Sequence, residues 1–117
     1  DIELMNIAAK ALLTFKDFSS FEKKGSDNTN SLCTLFTAKW EYTEQKTGMV
    51  FTISANRFLS NMVRRIVACL LEIGLGRMNQ QIMINAMENK AYFEVGLTAP
   101  ANGLHLWEIK YPYIVNC

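Results

Sequence analysis

Apolar residues recur at three- and four-residue spacing at Leu4, Ile7, Ala8, Ala11 and Leu12, which predicts a helix over residues 3–13. The period breaks at Phe15-Lys-Asp-Phe-Ser-Ser-Phe21, and residues 25–30 are a polar, turn-forming run. From residue 31 to 43 the pattern changes to alternation, with Leu35, Ala38, Trp40 and Tyr42 as its apolar positions, although the run from Leu32 to Phe36 is ambiguous. This predicts a long strand, joined through residues 44–48 and Gly48 to a second strand at 49–54. A second helix is predicted over 57–73. Its apolar positions Phe58, Leu59, Met62, Val63, Ile66, Val67, Leu70, Leu71 and Ile73 cover so wide an arc that it belongs near the centre of the fold. Arg57, Asn61, Arg64, Arg65, Ala68 and Glu72 form its narrow remaining stripe, and Gly74-Leu-Gly76 supplies a glycine stop. A shorter helix over 79–89 turns Ile82, Met83, Ala86 and Met87 inward. Residues 90–103 read as loop, and residues 105–111 alternate as a final strand. The simplest architecture is an α+β fold, a mainly antiparallel sheet packed by two main helices and a shorter one.

Length and composition fit that architecture. The chain has 117 residues, half of them apolar, with a net charge of +1. It reads as a single domain, residues 1–117, able to bury roughly two thirds of its unfolded surface. Near-neutrality excludes coating of nucleic acid by bulk charge but leaves room for a local basic face. Cys33, Cys69 and Cys117 are far apart and form no C-x-x-C pair. With His105 the only histidine, a zinc site lacks ligands. Two thiols in apolar surroundings point to reduced, packed cysteines and a cytoplasmic setting. No signal peptide or membrane-length apolar stretch is visible, so no membrane association is expected. A start at Asp1 that leads almost at once into a helix reads as an excised domain.

The candidate chemistry centres on Phe58-Leu-Ser-Asn-Met-Val-Arg-Arg-Ile-Val67. Arg64 stands in a segment whose neighbours are those of a buried helix. A guanidinium is always charged and costly to bury without an anion, so the position calls for an acidic partner, and none lies nearby in sequence. The plainer reading makes Arg64 and Arg65 two solvated cations on a polar stripe. Lys16, Lys23, Lys24, Arg57 and Arg65 are candidates for a phosphate track, although each alone is an ordinary surface cation. Asp17 and Glu22 read as turn caps, His105 as a surface or hydrogen-bonded residue, and Phe15, Phe18 and Phe21 as core before base-stacking platform. Catalytic signatures such as G-x-S-x-G or a phosphate-cradling glycine loop do not occur.

A resemblance sharpens this picture. Ala8-Ala-Lys-Ala-Leu-Leu13, Asp17-Phe-Ser-Ser-Phe21, Trp40, Ala55-Asn-Arg-Phe-Leu-Ser-Asn-Met-Val-Arg64, Leu71-Glu-Ile-Gly74, Ala99-Pro-Ala-Asn-Gly-Leu104 and Tyr111-Pro112 occur in that order. Together they resemble the C-terminal half of the TruA-type tRNA pseudouridine synthases over nearly the whole chain. The resemblance implies isomerisation of uridine to pseudouridine in the anticodon stem-loop region of tRNA, with no metal or organic cofactor. The target nucleotide is turned out of its stack. It implies an aspartate in the N-terminal half that acts on the nucleotide, with Arg64 as its ion-pair partner. It also implies Leu104, after Gly103, as a wall of the uracil pocket, with Val63 as a further candidate. Lys16, Lys24, Arg57 and Arg65 are the expected RNA contacts, and a homodimer is the expected assembly.

Ala68, Lys16 and His105 depart from the glycine, histidine and tyrosine usual in that family. The Arg-Thr-Asp segment that carries the aspartate is absent from these 117 residues, so the chain alone is expected to be inactive. A non-catalytic RNA-binding or dimerisation module that reuses the fold is the alternative. Salt-sensitive RNA binding by the chain alone, or a concentration-dependent dimer without RNA affinity, would distinguish those cases.

Overall fold

The computed structural model describes residues 1–22, 31–42, 44, 48–59 and 62–91, and the backbone of 107–110. Helix α1 spans Ile2–Leu12. Asp1 caps it, with its carboxylate accepting from the N–H groups of Glu3 (2.9 Å) and Leu4 (3.3 Å). Its buried face is Met5, Ala8, Ala9 and Leu12. Leu4 and Ile7, members of the apolar repeat that predicts the helix, are 45% and 50% exposed. The i, i+3, i+4 rule fits both sets, and the four-residue rows Met5–Ala9 and Ala8–Leu12 won because their small alanines let α1 lie close on its neighbours.

After a 3-10 turn at Ser19–Phe21, strands β1 (Leu35–Tyr42) and β2 (Met49–Ala55) pair antiparallel, from Tyr42 opposite Met49 to Leu35 opposite Ala55. The register slips between Leu35 and Thr37. This bulge reconciles odd-numbered Leu35 with even-numbered Ala38 and Trp40, all buried, and leaves the extra residue, Phe36, half exposed. Tyr42, the last residue of the strand, is 55% exposed. Trp40 lies directly opposite Phe51, with ring centroids 4.8 Å apart and tilted by 33°. Both are essentially buried, and this cross-strand pair anchors the sheet side of the core.

The second main helix, α2, is Met62–Gly74. The expected start at residue 57 was too early. Arg57–Leu59 form no helix because Asn56 locks onto Thr34 instead, with its side-chain oxygen 2.8 Å from the Thr34 N–H and its own N–H 3.1 Å from the Thr34 carbonyl. Gly76, at φ +77°, ends the helix. Its N–H reaches the Ile73 carbonyl (3.1 Å) and that of Arg77 reaches the Glu72 carbonyl (2.9 Å), the paired bonds of a glycine-closed helix end. Gly74 allows α1 and α2 to approach closely, since a Cβ there would sit 2.6 Å from Met5 Cγ.

Helix α3 (Gln80–Glu88) is capped by the Asn79 side chain and buries Met83 and Met87. Ile82, expected inward, is half exposed and lines an open apolar groove of about 550 Å³ with Leu4 and Ile7. Strand β3 (Trp107–Lys110) then adds to β2 in parallel, giving the order β1-β2-β3. The α+β class stands. Its last strand pairs parallel to β2, which requires a crossover connection, and α2 and α3 lie between the two strands in the chain.

One polar contact joins helix and sheet. Trp40 N–H donates to the Asn6 side-chain oxygen (2.7 Å), and the Asn6 amide donates to the Trp40 carbonyl (3.0 Å). Asn6 thereby takes the place of a neighbouring strand at that point on the edge of β1.

Candidate active-site face of the second helix

The approach to α2 is built from short-range pairing. Cys33 N–H donates to the Lys16 carbonyl (2.8 Å) and Phe18 N–H to the Ser31 carbonyl (2.8 Å), with Asp17 bridged to Leu32 between them. Asp17 accepts from both the N–H (2.9 Å) and the hydroxyl (2.6 Å) of Ser19, and Glu22 accepts from the Ser31 hydroxyl. Asp17 thus caps the turn, and Glu22 ties its end to Ser31. Phe18 and Phe21 are fully buried and Phe15 packs against the core, so this aromatic triplet is structural. At the entrance to α2, Leu59 is buried and its N–H faces the Met62 sulfur at 3.4 Å.

On α2 itself, Met62, Val63, Ile66, Val67, Cys69, Leu70 and Ile73 are buried. Of its 13 residues, all described, Arg64 alone is exposed. The fold thus avoids burying the charge by turning the third residue of the helix outward. Among the described residues Arg64 has no hydrogen bond or ion pair. The guanidinium stands at the surface, free to meet an anion brought from outside this set of residues.

The other expected site residues separate. Arg65, next to Arg64, is half buried and its Nη2 donates to the Ser20 carbonyl at 3.1 Å. Arg57 is half buried, with Nη1 3.3 Å from the Leu32 carbonyl. Lys16 is exposed. Val63 is 5% exposed, so most of its side chain belongs to the core. Lys23, Lys24, Gly103, Leu104 and His105 lie outside the described residues. Ser20 and Asn6 hold the elements together and had no distinct signal in the sequence, because a buried serine in a turn and an asparagine in a helix look like surface residues.

The thiols have a different character. Burial pushes the Cys69 thiol up from about 9 to about 12, with Arg65 opposing and Glu72 adding to the shift. Burial also raises Cys33, with Arg57 opposing and Glu22 and Asp17 adding. Both are free and buried, and at neutral pH they are protonated core residues rather than nucleophiles. The linkage has a definite sign. Between pH 9 and 12 an unfolded Cys69 loses its proton while the folded one keeps it, so stability falls with rising pH by up to about 1.4 kcal/mol per unit. Below pH 9 this contribution is flat. Urea midpoints of the wild type and Cys69→Ala at pH 8 and 10.5 should show the shallower alkaline loss in the variant. Equal losses would contradict the assignment. Among the described residues no three of histidine, cysteine, aspartate and glutamate converge on a common point, and no helix is long and apolar enough to cross a membrane.

Comparison with known proteins gives this geometry its setting. The family profile described as tRNA pseudouridine synthase matches residues 8–112. The chain is 41% identical over 113 residues to "tRNA pseudouridine synthase A" of Bacteroides thetaiotaomicron, covering 96% of this chain and 42% of that protein. It is 39% identical over 112 residues to the protein of the same name in Bacteroides fragilis, covering 96% of this chain and 44% of the relative. It is 39% identical over 110 residues to that of Streptococcus agalactiae, covering 94% and 43%. The chain therefore spans less than half the length of these curated relatives. The match runs through α1, the β1–β2 hairpin and the whole of α2, including the exposed Arg64, and the chain belongs to the tRNA pseudouridine synthase family.

Proposed function

We propose that this chain is the C-terminal half of a TruA-type tRNA pseudouridine synthase, and that it supplies one side of an active site completed by an N-terminal half. The intact enzyme isomerises uridine to pseudouridine in the anticodon stem-loop region of tRNA. The observation that carries this reading is Arg64, the single exposed residue among the 13 of α2, with no anionic partner among the described residues. Its partner is the aspartate of the other half. Docking the halves removes water from the pair, and a guanidinium then holds a carboxylate in two parallel hydrogen bonds that fix its orientation.

The reaction divides between the halves. With the uridine turned out of the stack, the aspartate acts on the nucleotide while Arg64 keeps that carboxylate ionised and aimed. The bond between C1′ of the ribose and N1 of uracil breaks. The freed base turns and rejoins C1′ through C5, and the proton displaced from C5 leaves as N1 gains one, so nothing is added or removed overall. Leu104, Gly103 and Val63 form part of the wall that retains the base during this turn. Lys16, Lys24 and Arg57 are the cations for the phosphate backbone, each phosphate contact steepening the salt dependence of binding by about one ion, whereas Arg65 is already engaged with the Ser20 carbonyl. The enzyme works as a homodimer in the cytoplasm.

The test is to incubate the intact enzyme with unmodified tRNA transcripts and map pseudouridine by position. The expected result is modification confined to the anticodon stem-loop region. Salt-sensitive tRNA binding without any pseudouridine would leave a binding module in place of an enzyme.

A further inference from the structure

Resting on that reading, we propose that Arg65 is a positioning residue, which acts by fixing the direction of Arg64. The first turn of a helix is its least constrained part, because its N–H groups lack intrahelical partners. Arg64 and Arg65 are the third and fourth residues of α2 and so stand in that turn. An arginine meant to meet a carboxylate in a defined geometry needs this turn held still.

Arg65 supplies the hold. Its Nη2 donates to the Ser20 carbonyl at 3.1 Å. Ser20 is fully buried, and its hydroxyl donates to the Ala86 carbonyl of α3 at 3.2 Å. On either side, Ser19 is clamped by Asp17 and Phe21 is buried. The carbonyl that receives Arg65 is thus part of a fixed turn tied to a second helix. Successive side chains on a helix point about 100° apart, so tying residue 65 to this turn sets the outward direction of residue 64. A guanidinium suits the task because it keeps its charge at every relevant pH and its planar fork loses little freedom per bond formed.

A contact with RNA phosphate and a general scaffolding role predict different results, and kinetics of the intact enzyme on a tRNA transcript separate them. Four variants suffice: Arg65→Met, Arg65→Lys, Arg64→Ala and Arg64→Ala/Arg65→Met. A misplacement on the order of 1 Å costs up to about 100-fold in rate, so Arg65→Met should lower kcat by about 10- to 100-fold. Its KM and the salt dependence of KM should stay within about twofold, and Arg65→Lys should recover part of the rate. Because Arg65 acts through Arg64, the double variant should be no slower than Arg64→Ala by more than about twofold.

A normal kcat for Arg65→Met, a raised KM with a flatter salt dependence, or losses that multiply in the double variant would each overturn the proposal. If Arg65→Met does not fold, Arg65→Lys alone and combined with Arg64→Ala gives the same comparison. A crippled Arg64→Ala beside a normal Arg65→Met defeats this inference only. A normal Arg64→Ala defeats the reading on which it rests.

Discussion

Arg64→Ala in the intact enzyme should lower turnover on tRNA by about a hundredfold to a thousandfold or more, while leaving the packing of α2 intact. The two halves of this expectation have different origins. In this chain Arg64 is exposed and has no hydrogen bond or ion pair among the described residues, so its removal takes nothing from the packing of α2. Substitutions of that kind stay within about 0.5 kcal/mol. In the assembled site, truncation leaves a desolvated carboxylate without its counter-charge, a loss of about 3–5 kcal/mol, and each 1.36 kcal/mol is tenfold in rate. Arg64→Lys should fall between wild type and alanine, because an ammonium restores charge without the two-pronged geometry. Steady-state kinetics and far-ultraviolet circular dichroism on the same preparations check both parts. Near-normal turnover by the alanine variant would show that Arg64 is merely a solvated cation.

Asn6→Ala should be the most damaging polar substitution in the described part of the fold, at about 2–4 kcal/mol. It removes a donor and an acceptor at once from the backbone of Trp40, a residue only 2% exposed. Loss of a partner for a buried backbone group costs about 1–3 kcal/mol each, and the two losses fall on one peptide segment. Asn6→Asp keeps an acceptor for the Trp40 N–H but loses the donor to its carbonyl, so it should be less damaging than alanine at pH 7. Urea unfolding of the intact protein, followed by tryptophan fluorescence, measures the effect as a lower midpoint. A loss below about 0.5 kcal/mol would mean that the edge of β1 does not need the Asn6 amide.

These two residues also mark how far the sequence could be read. Elements with a strong period were legible: α1, the β1–β2 hairpin, α3 and the glycine stop of α2 fall close to where the pattern places them. What periodicity leaves open is phase. Leu4 and Ile7 fit the helical repeat as well as Met5 and Ala9 do, and the choice was settled by how closely α1 packs on α2 at Gly74, which no local pattern records. The bulge at Phe36 moved the inward face of β1 by one residue, and Asn56 delayed the start of α2 through a bond to Thr34. Asn6 and Ser20 were invisible for a related reason. Their partners are backbone groups 34 and 66 residues away, and backbone groups carry no residue-type signal.

The candidate site was legible in another way. The pattern put Arg64 on the narrow polar stripe of a helix otherwise lined with core residues and posed the question of its counter-charge, and the fold turns it outward on that stripe. The resemblance supplied the kind of partner, and the exposed guanidinium is compatible with one that arrives from another part of the enzyme. Arg65 looked like an interchangeable member of a basic track. Its bond to a buried turn gives it a different character from Lys16, which is exposed.

The central claim is that Arg64 is half of an ion pair whose other half lies beyond these 117 residues. The most direct measurement is the distance between its guanidinium and the catalytic carboxylate in a crystal structure of the intact enzyme. The account predicts two parallel N–H···O contacts of about 2.7–2.9 Å to an aspartate of the other half. An Arg64 that remains solvated in the intact enzyme, or pairs with a carboxylate of this chain, would contradict it.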